Sequence, residues 1–246
     1  MVSELQIIYR LSDAGEKKEK LPGINNENCL NDFLKHFPAS DVTVVADNVR
    51  DETMAWLEGL GLRQIVRTAL GNSGSFWAAF QHALTFPDDA IVYFVENDYL
   101  HREGARQILL EGFGIADYVT LYDHPDKYVD GVNPLVRGGG EQTVVRLTES
   151  CHWKYTNSTT MTFAARVSTL RRDQRVVRRY TIGLIGLVFG RRLPILRRWQ
   201  PLRVTQSFPM FCTLARRGRR LASPIPGWST HGETAWVTPF FDRPAR

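Results

Sequence analysis

The sequence predicts an α/β fold, a mostly parallel sheet with helices on both faces. Three observations carry this. Over the first 125 residues, short β-rich apolar runs alternate with stretches of helical period. The runs are near-continuous in hydrophobicity, as strands covered on both faces are. A content of 43% hydrophobic and 11% aromatic residues over 246 positions supplies a packable core, so one domain over 1–246 is expected.

Residues 5–11 (LQIIYRL) read as the first strand. A polar loop with Lys17, Lys18 and Lys20 follows, and the apolar spacing of 28–37 (NCLNDFLKHF) fits a helix. Residues 41–47 (DVTVVAD) read as a buried strand ending in an acid. The stretch 51–60 (DETMAWLEGL) opens on carboxylates, which favour a helix amino terminus, and ends near Gly59 and Gly61. A short strand is expected at 63–68, a glycine-bearing turn at 71–75 and a helix at 76–84 (FWAAFQHAL). The uncharged run 90–95 (AIVYFV) reads as a central strand leading directly into Glu96-Asn97-Asp98. Residues 101–113 read as a helix and 118–122 (YVTLY) as another strand.

Beyond 122 the pattern changes. Two prolines and four glycines in 123–140 predict a long loop. Strands are expected at 143–147 and 159–165, with 151–158 (CHWKYTNS) between them, and a helix at 167–179. Residues 180–220 are arginine-rich with no clear period, and 223–233 (SPIPGWSTHGE) read as a polar, turn-forming tail.

Cys29, Cys151 and Cys212 are far apart and odd in number, so neither a zinc site nor a disulfide framework is expected. The opening MVSELQIIYRLSD carries charges too early for a signal peptide, which predicts a cytoplasmic protein. The longest uncharged apolar run, 180–190, falls short of the roughly 20 residues a membrane span needs. Charge is unevenly spread. Residues 1–170 hold 15 Lys/Arg against 23 Asp/Glu, whereas 171–246 hold 16 against three. A cationic end of that kind suits an anionic partner, so peripheral contact with the inner membrane face is a further expectation.

Several residues fall where ligands bind in open α/β sheets, beyond the carboxyl ends of the strands. Asp47, Asn72 and Asp98 all stand there, and strand alternation predicts Glu96 and Asp98 on one side with Asn97 opposite. Paired carboxylates can hold Mg²⁺ or Mn²⁺, and such an ion can bridge a nucleotide diphosphate. The backbone around Asn72, Gly74 and Ser75 can face phosphate at a helix start, although neither a Walker loop nor a dinucleotide fingerprint is present. Trp153, Tyr155 and Asn157 offer stacking faces and hydrogen-bonding groups for a sugar. A histidine in the tail, His231, is a reasonable Mn²⁺ ligand if the turn formers before it fold the tail back over the site.

The order of first strand, acid-ended strand (Asp47), Asn/Gly turn into a helix (GNSGSFWAAFQHAL) and apolar strand with an acid-x-acid triplet resembles GT-A glycosyltransferases, family 2-like. The resemblance covers roughly 5–125 and, more loosely, 140–170. It implies a GT-A-like, Rossmann-related sheet with a small antiparallel extension on the acceptor side. Residues 1–125 would then bind the nucleotide-sugar, and 126–246, with the arginine-rich 171–220, the acceptor. It further implies a hexosyltransferase-like, metal-dependent activity. Asp47, Leu11 and Asp13 would contact the nucleotide; Asp98 would ligate the metal, with Glu96 a second ligand or ribose contact; His231 would be the late ligand. An inverting enzyme also needs a carboxylate base, for which Asp173 comes first, then Glu149 and Glu233. The acceptor class (glycan, lipid-linked or small molecule) is left open. The triplet departs from the commoner pattern by opening on Glu, and 174–220 lack the acidic helical pattern usual there.

Two other readings stand beside this one. A nucleotidyltransferase would usually show an early glycine-rich loop with Lys or Arg, which LSDAGEKKEK matches poorly. A non-enzymatic basic protein binding nucleic acid or membrane fits fourteen arginines between 171 and 220. Against nucleic acid, the other 170 residues are acidic overall and no nucleic-acid motif occurs, so no such partner is expected.

Overall fold

The computed structural model describes residues 4–14, 20–124, 128, 144–185, 200–201 and 205–232. Along the chain come β1 (Leu5–Leu11), α1 (Asn26–His36), a 3-10 turn (Ala39–Asp41), β2 (Val42–Asp47), α2 (Asp51–Glu58), β3 (Gln64–Thr68) and α3 (Gly71–Ala83). Then follow β4 (Ile91–Glu96), β5 (Tyr99–His101), α4 (Ala105–Gly112), β6 (Tyr118–Val119), β7 (Val145–Leu147), β8 (His152–Thr156) and β9 (Phe163–Arg166). The last described elements are α5 (Val167–Thr181), β10 (Leu184–Ile185), β11 (Gln200–Pro201), α6 (Ser207–Arg216), β12 (Leu221–Ile225) and β13 (Ser229–His231).

Nine strands form one sheet in the order β3-β2-β1-β4-β9-β6-β12-β8-β7. The pairs β3–β2, β2–β1, β1–β4 and β6–β12 are parallel, and the pairs made by β9 and β8 are antiparallel. Seven of the nine strands therefore point one way, and the sheet has a carboxyl edge and an amino edge.

Alternation along the buried strands divides the core. Leu5, Ile7, Tyr9 and Leu11 of β1 face one layer, with Leu30 and Phe33 of α1, Leu57 of α2 and Leu109 of α4. Ile8, Val45, Val92 and Phe94 face the other, with Phe76 and Phe80 of α3, Leu170 and Val177 of α5, and Phe211 and Leu214 of α6. Period two in the strands thus meets period 3.6 in the helices on both faces. Each such side chain, fully buried, contributes roughly 1.5–3 kcal/mol relative to exposure.

Several elements differ from the sequence expectation. The α3 helix begins at Gly71, so the stretch read as a turn is its first turn. Its amino end is held by Asp47, whose carboxylate accepts the N–H of Leu70 (2.6 Å) and of Gly71 (3.0 Å). Gly71 has φ +71°, a conformation open to glycine. Residues 99–101 form a strand and α4 starts only at Ala105, because β5 pairs with β13 from the tail. The 151–158 stretch contains a sheet strand, β8. The 180–220 region contains α6, whose Met210, Phe211 and Leu214 lie on its buried face. Finally, the tail read as turns supplies β12, which is inserted between β6 and β8.

Candidate active site at the carboxyl edge

Parallel strands β2, β1 and β4 end side by side at Asp47, Leu11 and Glu96. Beyond them lies a cleft of about 260 Å³, lined by Arg10 to Ser12, Ala14, Asp47, Asn48, Gly71, Asn72, Ser75 and Glu96 to Asp98. Most of the residues expected to bind a nucleotide-sugar therefore meet in one place: Leu11, Asp47, Asn72, Ser75 and Glu96. Asn97 also lines it instead of turning away, because the chain leaves strand geometry after Glu96. Its amide donates to Ser12 O and to Asn26 Oδ1, tying the triplet to the loop after β1.

The side chains differ in how committed they are. Asp47 also accepts from Thr68 Oγ1 (2.8 Å) and Asn48 Nδ2 (2.7 Å), so its carboxylate fixes the start of α3. Asn72 Oδ1 accepts from Thr205 N–H and Oγ1, both at 3.3 Å, linking the cleft to the segment before α6. Ser75 is buried in the first turn of α3 and donates to Asn72 O (3.2 Å). Asp13 is not part of the lining. Its carboxylate accepts the Arg50 N–H (2.7 Å), the Arg50 Nε (3.1 Å) and the Thr53 hydroxyl at the amino end of α2. Burial pushes the Asp13 carboxyl up, but those donors outweigh it and leave it below the ordinary range.

The acidic pair is held as follows. Glu96 receives the Met161 N–H on Oε2 (3.2 Å), and Arg10 Nη1 stands 3.6 Å from Oε1. Burial raises the Glu96 pKa, Asp98 adds to it, and Arg10, His231 and the Met161 N–H pull it down; the net direction is upward. Asp98 Oδ2 lies 3.3 Å from His231 Nε2 and 3.9 Å from Lys20 Nζ. His231 arrives through the β5–β13 pairing and is seated against the rings of Tyr99 (5.0 Å) and Tyr122 (6.2 Å). The strap closes when Gly232 N–H donates to Asp98 O (2.8 Å) and Leu21 N–H donates to Gly232 O (3.2 Å). A Cβ at Gly232 would stand 2.4 Å from Ile24 Cγ2, so a side chain there would force Ile24 to shift.

Asp98 and His231 fit a divalent ion. Carboxylate oxygen suits Mn²⁺ or Mg²⁺, the imidazole nitrogen favours Mn²⁺, and 3.3 Å is close to the roughly 3 Å between neighbouring ligands of an octahedral ion. Glu96 is not gathered with them: among the described residues no three His, Cys, Asp or Glu side chains form a metal-sized group. Its engagement with Arg10 and Met161 explains why. Two protein ligands suit an ion that takes its remaining ligands from water and substrate phosphates.

Other sequence-derived candidates lie elsewhere. Asp173 is buried in α5, accepting from Tyr118 OH (3.1 Å) and Arg219 Nε (2.9 Å). Tyr118 is in register with Ala165, as is Val92 near the start of β4, so this group sits at the amino edge, opposite the cleft. Tyr155 and Asn157 line a shallow groove with Arg219 and Arg220, again at the amino edge, since Thr156 pairs with Leu221 and Leu221 with Tyr118. Tyr155 OH donates to Ile115 O (3.0 Å). Trp153 is fully buried and donates Nε1–H to Thr148 Oγ1 (2.9 Å), so it stacks on core and not on a sugar. Glu149 is exposed on the turn between β7 and β8, outside the cleft lining. Glu233 lies outside the described residues, as do Lys17, Lys18, most of the 123–140 loop and the arginines of 191–198.

Sequence reasoning passed over Arg10 and Lys20 as site residues. The signal for Arg10 was a charge inside an otherwise buried strand, LQIIYRL, where an arginine is rare without a polar partner. Lys20 gave none, because its neighbour Asp98 is far away in sequence. No helix among the described residues is long and apolar enough to cross a membrane.

No family model matches the sequence, and no curated protein matches it. Among solved structures the chain is similar to GalNAc-T7 determined with UDP, GalNAc and Mn²⁺: TM-score 0.57 at 11% identity, over 94% of this chain and 44% of that one. The fold is GT-A-like. Lower similarity is found to S. aureus TarS 1–349 (TM-score 0.44, 17% identity, 70% of this chain and 49% of that one). It is found also to a nucleotidyl transferase from Methanothermobacter (TM-score 0.47, 13% identity, 89% and 86%). The chain spans less than half the length of GalNAc-T7 and about half that of the TarS fragment. Beside the nine-stranded sheet, β5 and β13 form a separate two-stranded antiparallel sheet that brings His231 to the triplet.

Proposed function

We propose that the protein is a metal-dependent glycosyltransferase that moves a sugar from a nucleotide-diphosphate donor to an acceptor hydroxyl. The observation that carries this reading is the meeting of Asp98 with His231, residues 133 apart in sequence, beside a cleft at the carboxyl ends of β1, β2 and β4. On this reading, Leu11 and Asp47 border the nucleoside, and Asn72 and Ser75, in the first turn of α3, lie toward the phosphates. Asp98 and His231 hold the divalent ion, which when bound neutralises charge on the diphosphate leaving group. Glu96, steadied by Arg10 and Met161, faces the donor and does not ligate. For the acceptor base we place Glu233 first. It is joined directly to Gly232, which donates to Asp98 O, whereas Asp173 is locked in an ion pair at the other edge.

Thermal-shift titration tests this, using UDP-, GDP-, CDP- and dTDP-sugars with and without Mn²⁺. At least one sugar nucleotide should stabilise the protein, and only when metal is present. Stabilisation by nucleoside triphosphates but by no sugar nucleotide would move the assignment to nucleotidyl transfer. Stabilisation by RNA alone would move it to nucleic-acid binding.

A further inference from the structure

Two buried cations face the acidic pair, and neither closes on it. Arg10 is 7% exposed, and its guanidinium is anchored through Nη2 only: Nη2 donates to Asn72 O (3.0 Å) and Ser75 Oγ (3.4 Å), and the group lies 5.4 Å over the Phe76 ring. Its Nε and Nη1 find no hydrogen-bond partner among the described residues, and Nη1 stops 3.6 Å from Glu96. The Lys20 side chain is 5% exposed; its Nζ likewise finds no hydrogen-bond partner among the described residues and stops 3.9 Å from Asp98. Both distances exceed a hydrogen bond. Elsewhere the same protein closes a buried carboxylate fully, Asp173 accepting from Arg219 Nε at 2.9 Å. Buried N–H donors without acceptors are costly, and these line or adjoin one cleft.

We propose that Arg10 and Lys20 are the diphosphate-binding cations of the donor site. Without donor they serve as loose counter-ions for Glu96 and Asp98. When a divalent ion takes Asp98 and His231, the open N–H groups of Arg10 and Lys20 turn to the phosphate oxygens. No covalent step is involved, and total charge is conserved: Asp98 exchanges Lys20 for the metal, Glu96 keeps the Met161 N–H, and the diphosphate takes up the two cations. This rests on the donor-site reading and deepens it by naming the groups that recognise the diphosphate.

The test is calorimetry on the full chain with UDP, GDP, CDP and dTDP at saturating Mn²⁺, beside Mn²⁺ alone followed by electron paramagnetic resonance. Arg10→Gln and Lys20→Met should each weaken nucleoside-diphosphate affinity about tenfold or more, the worth of a lost charge-assisted hydrogen bond. Mn²⁺ alone should bind at least as tightly as to the wild type, because a competing cation is gone. Lys20 makes no hydrogen bond through Nζ among the described residues, so Lys20→Met keeps the test alive if Arg10→Gln fails to fold. Unchanged diphosphate affinity in both variants, or Mn²⁺ affinity falling in step with it, overturns the proposal. If the wild type binds none of the four diphosphates with Mn²⁺, the donor-site reading itself fails first.

Discussion

The two edges of the sheet are built from the same strands, and the buried acids Asp173 at one and Glu96 and Asp98 at the other meet their cations in different ways. At the amino edge the carboxylates of Asp173 and Asp117 are closed on their partners. Asp173 takes Arg219 and Tyr118, Asp117 takes Arg172 at 3.0 Å and the Arg220 N–H at 3.1 Å, and Tyr155 donates to Ile115 O. At the carboxyl edge Asp13, outside the cleft lining, closes on Arg50 at 3.1 Å, but the contacts of Arg10 with Glu96 and of Lys20 with Asp98 stop at 3.6 and 3.9 Å. Closed pairs add order to the fold. Open ones, in a cleft, leave donors and acceptors for something else to satisfy. The arginine-rich composition of the second half is therefore partly structural: Arg171 binds Asp88 and the carbonyls of Leu84 and Phe86, and Arg172 and Arg219 are likewise used within the fold.

Substitutions at the two edges should separate chemistry from stability. The largest effect is expected from Glu233→Gln. Turnover should fall by about 10²–10⁴-fold, the usual worth of a general base, with donor affinity unchanged; weakened donor binding would place Glu233 among the binding groups. Asp173→Asn leaves Arg219 without its carboxylate and should cost about 2–3 kcal/mol in denaturant unfolding, again with donor affinity unchanged. If turnover collapsed while stability held, the amino edge would be catalytic and the comparison would break.

Acid should act through His101. This ring is buried against Phe33, Phe37 and Tyr93, and Tyr93 OH meets Nε2 at 2.8 Å. Burial, with a smaller contribution from His36, lowers its pKa from 6.5 to about 3. Between those values the unfolded chain binds a proton that the folded one refuses, so stability falls as pH drops below 6.5. At pH 5 the loss is about 2 kcal/mol relative to neutral pH, and His101→Gln should flatten that part of the stability–pH curve. An unchanged slope would assign acid sensitivity to other groups.

Gly232→Ala should destabilise by about 1–2 kcal/mol through overpacking on Ile24 and should also weaken metal-dependent donor binding, since the strap carries His231. The smallest effects are expected from Tyr155→Ala and Asn157→Ala, which should leave donor affinity within twofold, roughly 0.4 kcal/mol. A larger loss would mean that the amino edge communicates with the cleft.

The parallel half was legible in sequence because its information is local. AIVYFV is a buried strand wherever it is read, and the triplet following it emerges at a carboxyl edge whatever the partners are. The second half is defined by distant partners. Strand β12 contains Pro224, which argues against a central strand. It is tolerated because β6 pairs only with Leu221 and Ala222, leaving no ladder on that side at Pro224. Nothing near Tyr99 announces that Ser229–His231 will lie beside it, although the turn formers before His231 did signal a chain folding back. Asp173 and Trp153 were misplaced for a related reason. Residue type and spacing propose a carboxylate or an indole, but only strand register says which edge or which face receives it. Arg10 was visible as a charge in a buried run, yet its role follows from Glu96, Asn72 and Phe76 around it.

In the proposed function, Asp98 and His231 grip a divalent ion that brings a nucleotide-sugar to the carboxyl edge. Isothermal titration of sugar nucleotides into wild type and Asp98→Ala, each with and without Mn²⁺, tests it most directly. Binding is expected only to wild type and only with Mn²⁺. Equal, metal-independent binding by both proteins, or binding by neither, would contradict it.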